Sequence, residues 1–279
     1  MARKSLVNFV ILFLFLVFVA SPLIHAQNSV APATDMSPAE IDRILKAVTA
    51  KEMEFRQALN QYSFKRDAVL QSIGMGGQVT GEYHRVSTFT FDDQGNRYEK
   101  ISYFPMPSFG GEVTQEDLED LGGIQPFPLE PSKISKYDFK YFGKEKIDEL
   151  NLYVFDVTPK VMPDPKKTKE RLFSGRVWID DQDLQIVKTR GKGVPETKKN
   201  KFPVVETYRE QFGGKYWFPT YTYADDELLF EDGNTLHIRM KVRYSDFAPA
   251  RADVKIIEID EADAPKKEPK PAPASPSKP

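Results

Sequence analysis

The sequence predicts an α+β fold that is mainly β. It reads as one curled antiparallel sheet of about eleven strands, with helices across its concave face. Three observations predict it. First, Leu172 to Tyr244 is a run of hairpins. RLFSGRVWID, a DQD turn and LQIVKTRGKG are followed by VVETYREQF, a GG turn and KYWFPTYTY. Second, the closing strand TLHIRMKVRYSDF alternates strictly. Leu236, Ile238, Met240, Val242 and Tyr244 fall on one face, and Thr235, His237, Arg239, Lys241 and Arg243 on the other. One apolar face and one charged face mark an antiparallel sheet covered on one side. Third, an amphipathic helix precedes the strands and needs an apolar surface to lie on.

That helix opens at Ser37-Pro38-Ala39-Glu40. Ser37 suits the cap, Pro38 the first helical position, and Glu40 stands three residues after the cap. Ile41, Ile44, Leu45, Val48, Phe55 and Leu59 recur at helical spacing, with Arg43, Lys46, Lys51 and Glu54 opposite. Strands follow at Tyr62 to Ile73, Val79 to Phe91 and Arg97 to Phe104. Gly74, Gly76 and Gly77 form the first turn, and Asp92-Asp93-Gln94-Gly95 the second. Thr114 to Leu121 reads as a short helix stopped by Gly122-Gly123, and a Pro-rich crossing, Gln125 to Leu129, comes after it. Tyr137 to Phe142 and Leu152 to Thr158 are strands, and Val254 to Ile259 adds one at an edge.

The ends read differently. Arg3 and Lys4 precede an apolar run, Leu6 to Ala20, broken by Ser21-Pro22 and followed by Ile24-His25-Ala26. This is the pattern of a secretory signal peptide over residues 1–26, in preference to an uncleaved anchor helix. Residues 27–36 read as a flexible lead, 37–260 as the domain, and 261–279 as a disordered tail of Pro, Lys, Ala, Glu, Asp and Ser. The chain has no cysteine, so the core works without disulfides and no lipid is carried on a Cys. The expected place is the periplasm. Its 39 basic and 41 acidic residues give a net charge of -2, which offers nothing to nucleic acid or an anionic membrane surface.

No catalytic signature stands out. G-x-S-x-G, H-E-x-x-H and a P-loop are all missing from the sequence. His84 and His237 read as ordinary strand residues. Asp180, Asp181 and Asp183, like Asp225, Asp226 and Glu227, lack the spacing of a calcium loop and read as turn residues. The reading is of a protein that is not an enzyme and needs no cofactor or metal.

FSGRVWIDDQDLQIVKTRGKG (Phe173 to Gly193) and ETYREQFGGKYWFPTYTYADDEL (Glu206 to Leu228) resemble the outer-membrane lipoprotein-sorting protein superfamily, the LolA/LolB/RseB-like group. FDDQGNRYEK (Phe91 to Lys100) and QPFPL (Gln125 to Leu129) narrow the resemblance to large exported members. The resemblance covers most of Leu59 to Phe247. It implies an open half-barrel of antiparallel strands, lidded by helices over an apolar cavity. It also implies lipid or lipoprotein acyl chains as the cargo, or envelope proteins as partners of a sensor.

Aromatic residues exceed what a thin sheet needs to seal itself, and uncovered apolar surface usually marks a binding site. The candidates for a ligand cavity are Leu45 and Phe55 on the helix, Tyr137, Phe139 and Tyr141 on one strand, and Tyr153 and Phe155 on the next. Phe173, Trp217, Tyr221, Ile238 and Met240 complete the set. The expected function is a soluble periplasmic carrier or sensor of lipid or acylated protein, without covalent chemistry. The alternative is an envelope protein-interaction module with a filled core.

Overall fold

The computed structural model describes residues 36–109, 129, 131–198 and 200–250. The chain enters through helix α1 (Pro38–Leu59). Ser37 caps it: its Oγ accepts a hydrogen bond from the Glu40 amide at 3.3 Å. Ile44, Val48, Phe55, Ala58 and Leu59 form its buried stripe, and Glu52 is buried among them. Leu45 stands at the edge of that stripe and is only half-buried.

Ten strands follow among the described residues: β1 (Tyr62–Ile73), β2 (Val79–Phe91), β3 (Arg97–Tyr103), β4 (Tyr137–Ile147), β5 (Leu150–Pro159), β6 (Leu172–Asp180), β7 (Ile186–Val194), β8 (Val205–Phe212), β9 (Tyr216–Leu229) and β10 (Thr235–Pro249). All neighbours are antiparallel. They form one open sheet, ordered β3-β2-β1-β10-β9-β8-β7-β6-β5-β4. This is the open half-barrel, with α1 on its concave face.

Two features go beyond the run of hairpins that the sequence predicts. β1 pairs with β10, with Leu70 opposite Met240, so the first and last strands lie inside the sheet. Among the described strands the edges are therefore β3 and β4. A 3-10 turn, Pro131–Lys136, also leads into β4. The expected helix at Thr114 to Leu121, the strand at Val254 to Ile259, the leader and the tail lie outside the described residues.

Alternation explains the two faces. In β5, Phe155 and Val157 belong to a cluster with Ile44 and Val48 of the helix, whereas Leu152 and Val154 join Trp178, Val187 and Trp217 on the other side. A second concave cluster gathers Phe55, Leu59, Phe64, Phe218, Ile238, Met240 and Tyr244. Helix α1 thus bridges two packed regions.

The Gly/aromatic motif has a direct cause. Gly175 of β6 faces Gly191 of β7 across the ladder. A Cβ on Gly175 would sit 2.2 Å from the Arg190 carbonyl oxygen, and one on Gly191 would meet the Phe173 ring at 2.6 Å. The paired glycines let the strands close up beneath that ring.

Candidate functional site

The concave face is not covered evenly. Where α1 ends, Leu59 and Asn60 border an open pocket of about 370 Å³. Its other walls are Phe64 and Arg66 of β1, Phe89 of β2, Arg97, Tyr98 and Glu99 of β3, and Tyr244 of β10. This volume falls within the range of small-molecule sites. The reason for the opening is simple. A helix of 22 residues ends before the sheet does, and β2 and β3 extend beyond it.

The floor is aromatic. Phe64 and Phe89 stack with centroids 4.9 Å apart and rings inclined by 28°. They are opposite partners in the β1–β2 ladder. Phe247 and Tyr244 flank Phe64 at 5.4 and 5.9 Å. Burial pushes the Tyr244 hydroxyl up to about 12, so it stays protonated.

Two guanidiniums cap this floor. Arg66 stands 5.0 Å from the Phe89 centroid, and Arg97 stands 5.0 Å from Phe64 and 5.6 Å from Phe89. A guanidinium over an aromatic face is a favourable cation–π arrangement. Arg66 reaches Glu99 at 3.5 Å, but Glu99 is held more closely by Arg85, at 2.6 Å. Arg97 donates from Nη1 to the Leu59 carbonyl at 3.1 Å and to Asn60 Oδ1 at 3.3 Å. It thereby caps a carbonyl at the helix end that has no partner within the helix. Burial lowers the Arg97 pKa below the usual arginine value, and the group remains a cation. Arg66 and Arg85 share the carboxylate of Glu99, and Arg97 makes no ion pair with it.

The twelve sequence candidates are placed otherwise. Phe55, Ile238 and Met240 lie in the concave cluster around Phe218, and Tyr137, Phe155 and Phe173 in the one around Ile44, all buried against neighbours. Phe139, Tyr141 and Tyr153 pack half-buried at the margin of the Ile44 cluster. Tyr141 meets Phe155 at 5.5 Å, and the Tyr137 hydroxyl accepts the Phe173 amide at 2.9 Å. Leu45 belongs to neither cluster. Trp217 is on the opposite face, where its indole donates to Asp183 at 2.7 Å. Tyr221 stacks on Tyr223 at 6.3 Å and alternates with buried Thr222, so it too faces away from the helix. None of the twelve lines the open pocket.

Sequence reasoning missed Phe64, Phe89 and Arg97 for a physical reason. Arg97 opens the return strand of a hairpin, where an arginine reads as a solvent-facing residue. The available signal was the alternation in Arg97-Tyr98-Glu99-Lys100. It puts Arg97 and Glu99 on one face, opposite the aromatic pattern of Phe89 and Phe91.

A second recess, about 460 Å³, is acidic and includes Asp148, Glu149, Asp180, Asp183 and Trp217. Two of its carboxylates, Asp180 and Asp183, are engaged in turn geometry. Asp180 accepts from the amides of Gln182 at 3.2 Å and Asp183 at 3.0 Å. Asp183 accepts from the Gln185 amide at 3.0 Å. No group of three or more ligating side chains able to hold a metal occurs among the described residues.

No family model matches the chain, and no curated protein does. Several solved structures are similar to it in fold. One is a DUF1329 family protein from Desulfovibrio piger, 18% identical, covering 76% of this chain and 94% of that one with a TM-score of 0.35. Another is a LolA superfamily protein from Nitrosomonas europaea, 13% identical, covering 75% and 93% with a TM-score of 0.32. A third, described as an outer membrane lipoprotein-sorting protein domain from Vibrio parahaemolyticus, is 11% identical and covers 78% and 96%, also with a TM-score of 0.32. Among the described residues no helix is long and apolar enough to cross a membrane.

Proposed function

We propose that the protein is a periplasmic carrier or sensor that binds an acyl chain in the open pocket of its half-barrel. The observation that carries this reading is the open pocket where α1 stops, lined by the stacked Phe64 and Phe89 rings. A pocket with an apolar lining and a few polar groups at its rim is the usual form of a small-molecule site. An acyl chain gains about 0.8 kcal/mol per buried CH₂, so a partly inserted chain binds usefully. Release needs no bond to break.

Displacement of a fluorescent fatty acid tests the reading. Saturable binding is expected, weakened by Phe89→Ala. If no acyl probe binds, the pocket is not a lipid site.

A second reading has its own observation. Edge strand β3 and the segment after it expose Ile101, Tyr103, Phe104 and Met106. The other edge, β4, carries Lys140, Lys144 and Lys146 instead, as protected edges do. An envelope protein adding a strand at β3 would use that difference. Native mass spectrometry of material from its own periplasm separates the two readings: co-purified lipid supports the first, and a co-purified protein without lipid the second.

A further inference from the structure

We infer that the open pocket selects an amphiphile with an anionic head, held by Arg97, over a neutral or cationic one of the same chain length. This rests on the acyl-binding reading and names the ligand's chemistry.

Arg97 is a half-buried cation whose partners are neutral. Its two hydrogen bonds, to the Leu59 carbonyl and to Asn60, both leave from Nη1. A guanidinium has five N–H donors in a fixed fork, so Nη2 and Nε remain for a ligand or water. No carboxylate among the described residues pairs with it. Its neighbour Arg66 has only a long contact to Glu99, at 3.5 Å, and its buried Nε has no hydrogen-bond partner. Arg85 holds the same carboxylate more tightly, at 2.6 Å. The pocket therefore carries a positive surplus.

Position matters as much as charge. Arg97 stands at the rim where α1 ends, and Phe64 and Phe89 lie beneath it. A chain entering the pocket beside the half-buried Phe89 ring brings its head to the guanidinium. An anionic head with two oxygens matches the free edge of the fork, and such paired, charge-assisted bonds are the strong kind. A fatty-acid carboxylate and a lipid phosphate both present that chemistry. Partial desolvation of Arg97 strengthens the attraction, because a half-buried pair is screened less than an exposed one.

The experiment is calorimetric titration of the full chain with four dodecyl amphiphiles: dodecanoate, dodecyl phosphate, dodecyl maltoside and dodecyltrimethylammonium. The wild type is expected to bind both anions roughly tenfold more tightly than the other two, the worth of one charge-assisted hydrogen bond. Whichever anion binds better identifies the head as carboxylate or phosphate. Arg97→Gln can still cap Leu59 and should lose that roughly tenfold preference while keeping its affinity for the maltoside. Arg97→Lys should retain part of the preference, and Lys46→Gln, on the helix's outer face, should change nothing. Equal binding of all four heads overturns the inference and leaves the acyl reading standing. Failure of all four to bind removes the acyl reading itself. Should Arg97→Gln not fold, the wild-type comparison of heads still decides.

Discussion

Glu52 of α1 and Arg209 of β8 form a bidentate ion pair inside the concave core, with Nη1–Oε1 at 2.6 Å and Nη2–Oε2 at 3.1 Å. Both side chains are 2% exposed. The Arg209 guanidinium also lies 4.3 Å from the Phe55 ring, one helical turn from Glu52. The pair fixes the rotation of the helix over the sheet, because only one face of α1 carries the carboxylate. Glu52→Gln or Arg209→Met should each destabilise by about 3–5 kcal/mol, since each leaves a buried charge unpaired. The double variant Glu52→Leu/Arg209→Met should recover most of that loss. Urea unfolding of the three proteins checks it. Additive losses in the double variant would show that the pair does not act as a unit.

The packed and open parts of the concave face should respond oppositely to truncation. Phe155 is fully buried, and Phe155→Ala should cost about 3–5 kcal/mol. Met240→Ala should cost about 2–5 kcal/mol for the same reason. Phe89, half-buried at the pocket, has fewer neighbours to lose. Phe89→Ala should cost less than either, yet weaken acyl-probe binding most. Leu45→Ala should cost less than Ile44→Ala, since Ile44 is buried and Leu45 is not. The check is thermal unfolding and probe titration on the same preparations. Equal stability losses at Phe89 and Phe155 would mean the pocket wall is ordinary core.

Much of this was legible beforehand, and particular residues show where legibility ended. The helix, its Ser37 cap and the strand periods follow from spacing alone. The pairing of β1 with β10 does not, because alternation gives a strand's faces and not its neighbours. Glu52 was visible only as a gap. Val48 and Phe55 are seven residues apart on one apolar stripe, and the inward position between them is a glutamate. A carboxylate there reads as solvent-facing until Arg209 is placed opposite it. Trp217 and Tyr221 were read as cavity residues because they are aromatic. The outer face, however, has an apolar cluster of its own, built on Trp178 and Trp217.

The close glycine pair gives a backbone prediction. Gly175→Ala would place its Cβ 2.2 Å from the Arg190 carbonyl oxygen and 2.4 Å from the Gly191 Cα. Both obstacles are backbone, so no rotamer relieves them and the ladder must open. The loss should be at least about 1–3 kcal/mol, as for other overpacked sites. Ser174→Ala, next door and half-buried, should be nearly neutral. Chemical denaturation checks both. A silent Gly175→Ala would mean that the β6–β7 ladder is loose enough to admit a Cβ there.

On the outer face Asp225 accepts hydrogen bonds from His237, from Tyr223 at 3.0 Å and from Arg239 at 3.0 Å. The His237 bond foremost, then those from Tyr223 and Arg239, hold its pKa below the usual aspartate value. A carboxyl depressed in the folded state stabilises it fully above its unfolded pKa of about 3.9, and that contribution fades as pH falls through the folded value. Wild type should therefore be more stable than Asp225→Asn at neutral pH. The gap should hold down to about pH 5 and close below about pH 4. Melting temperatures of the two proteins across that range give the measurement. A gap that widens toward acid would reverse the sign and show that Asp225 is not held ionised by its partners.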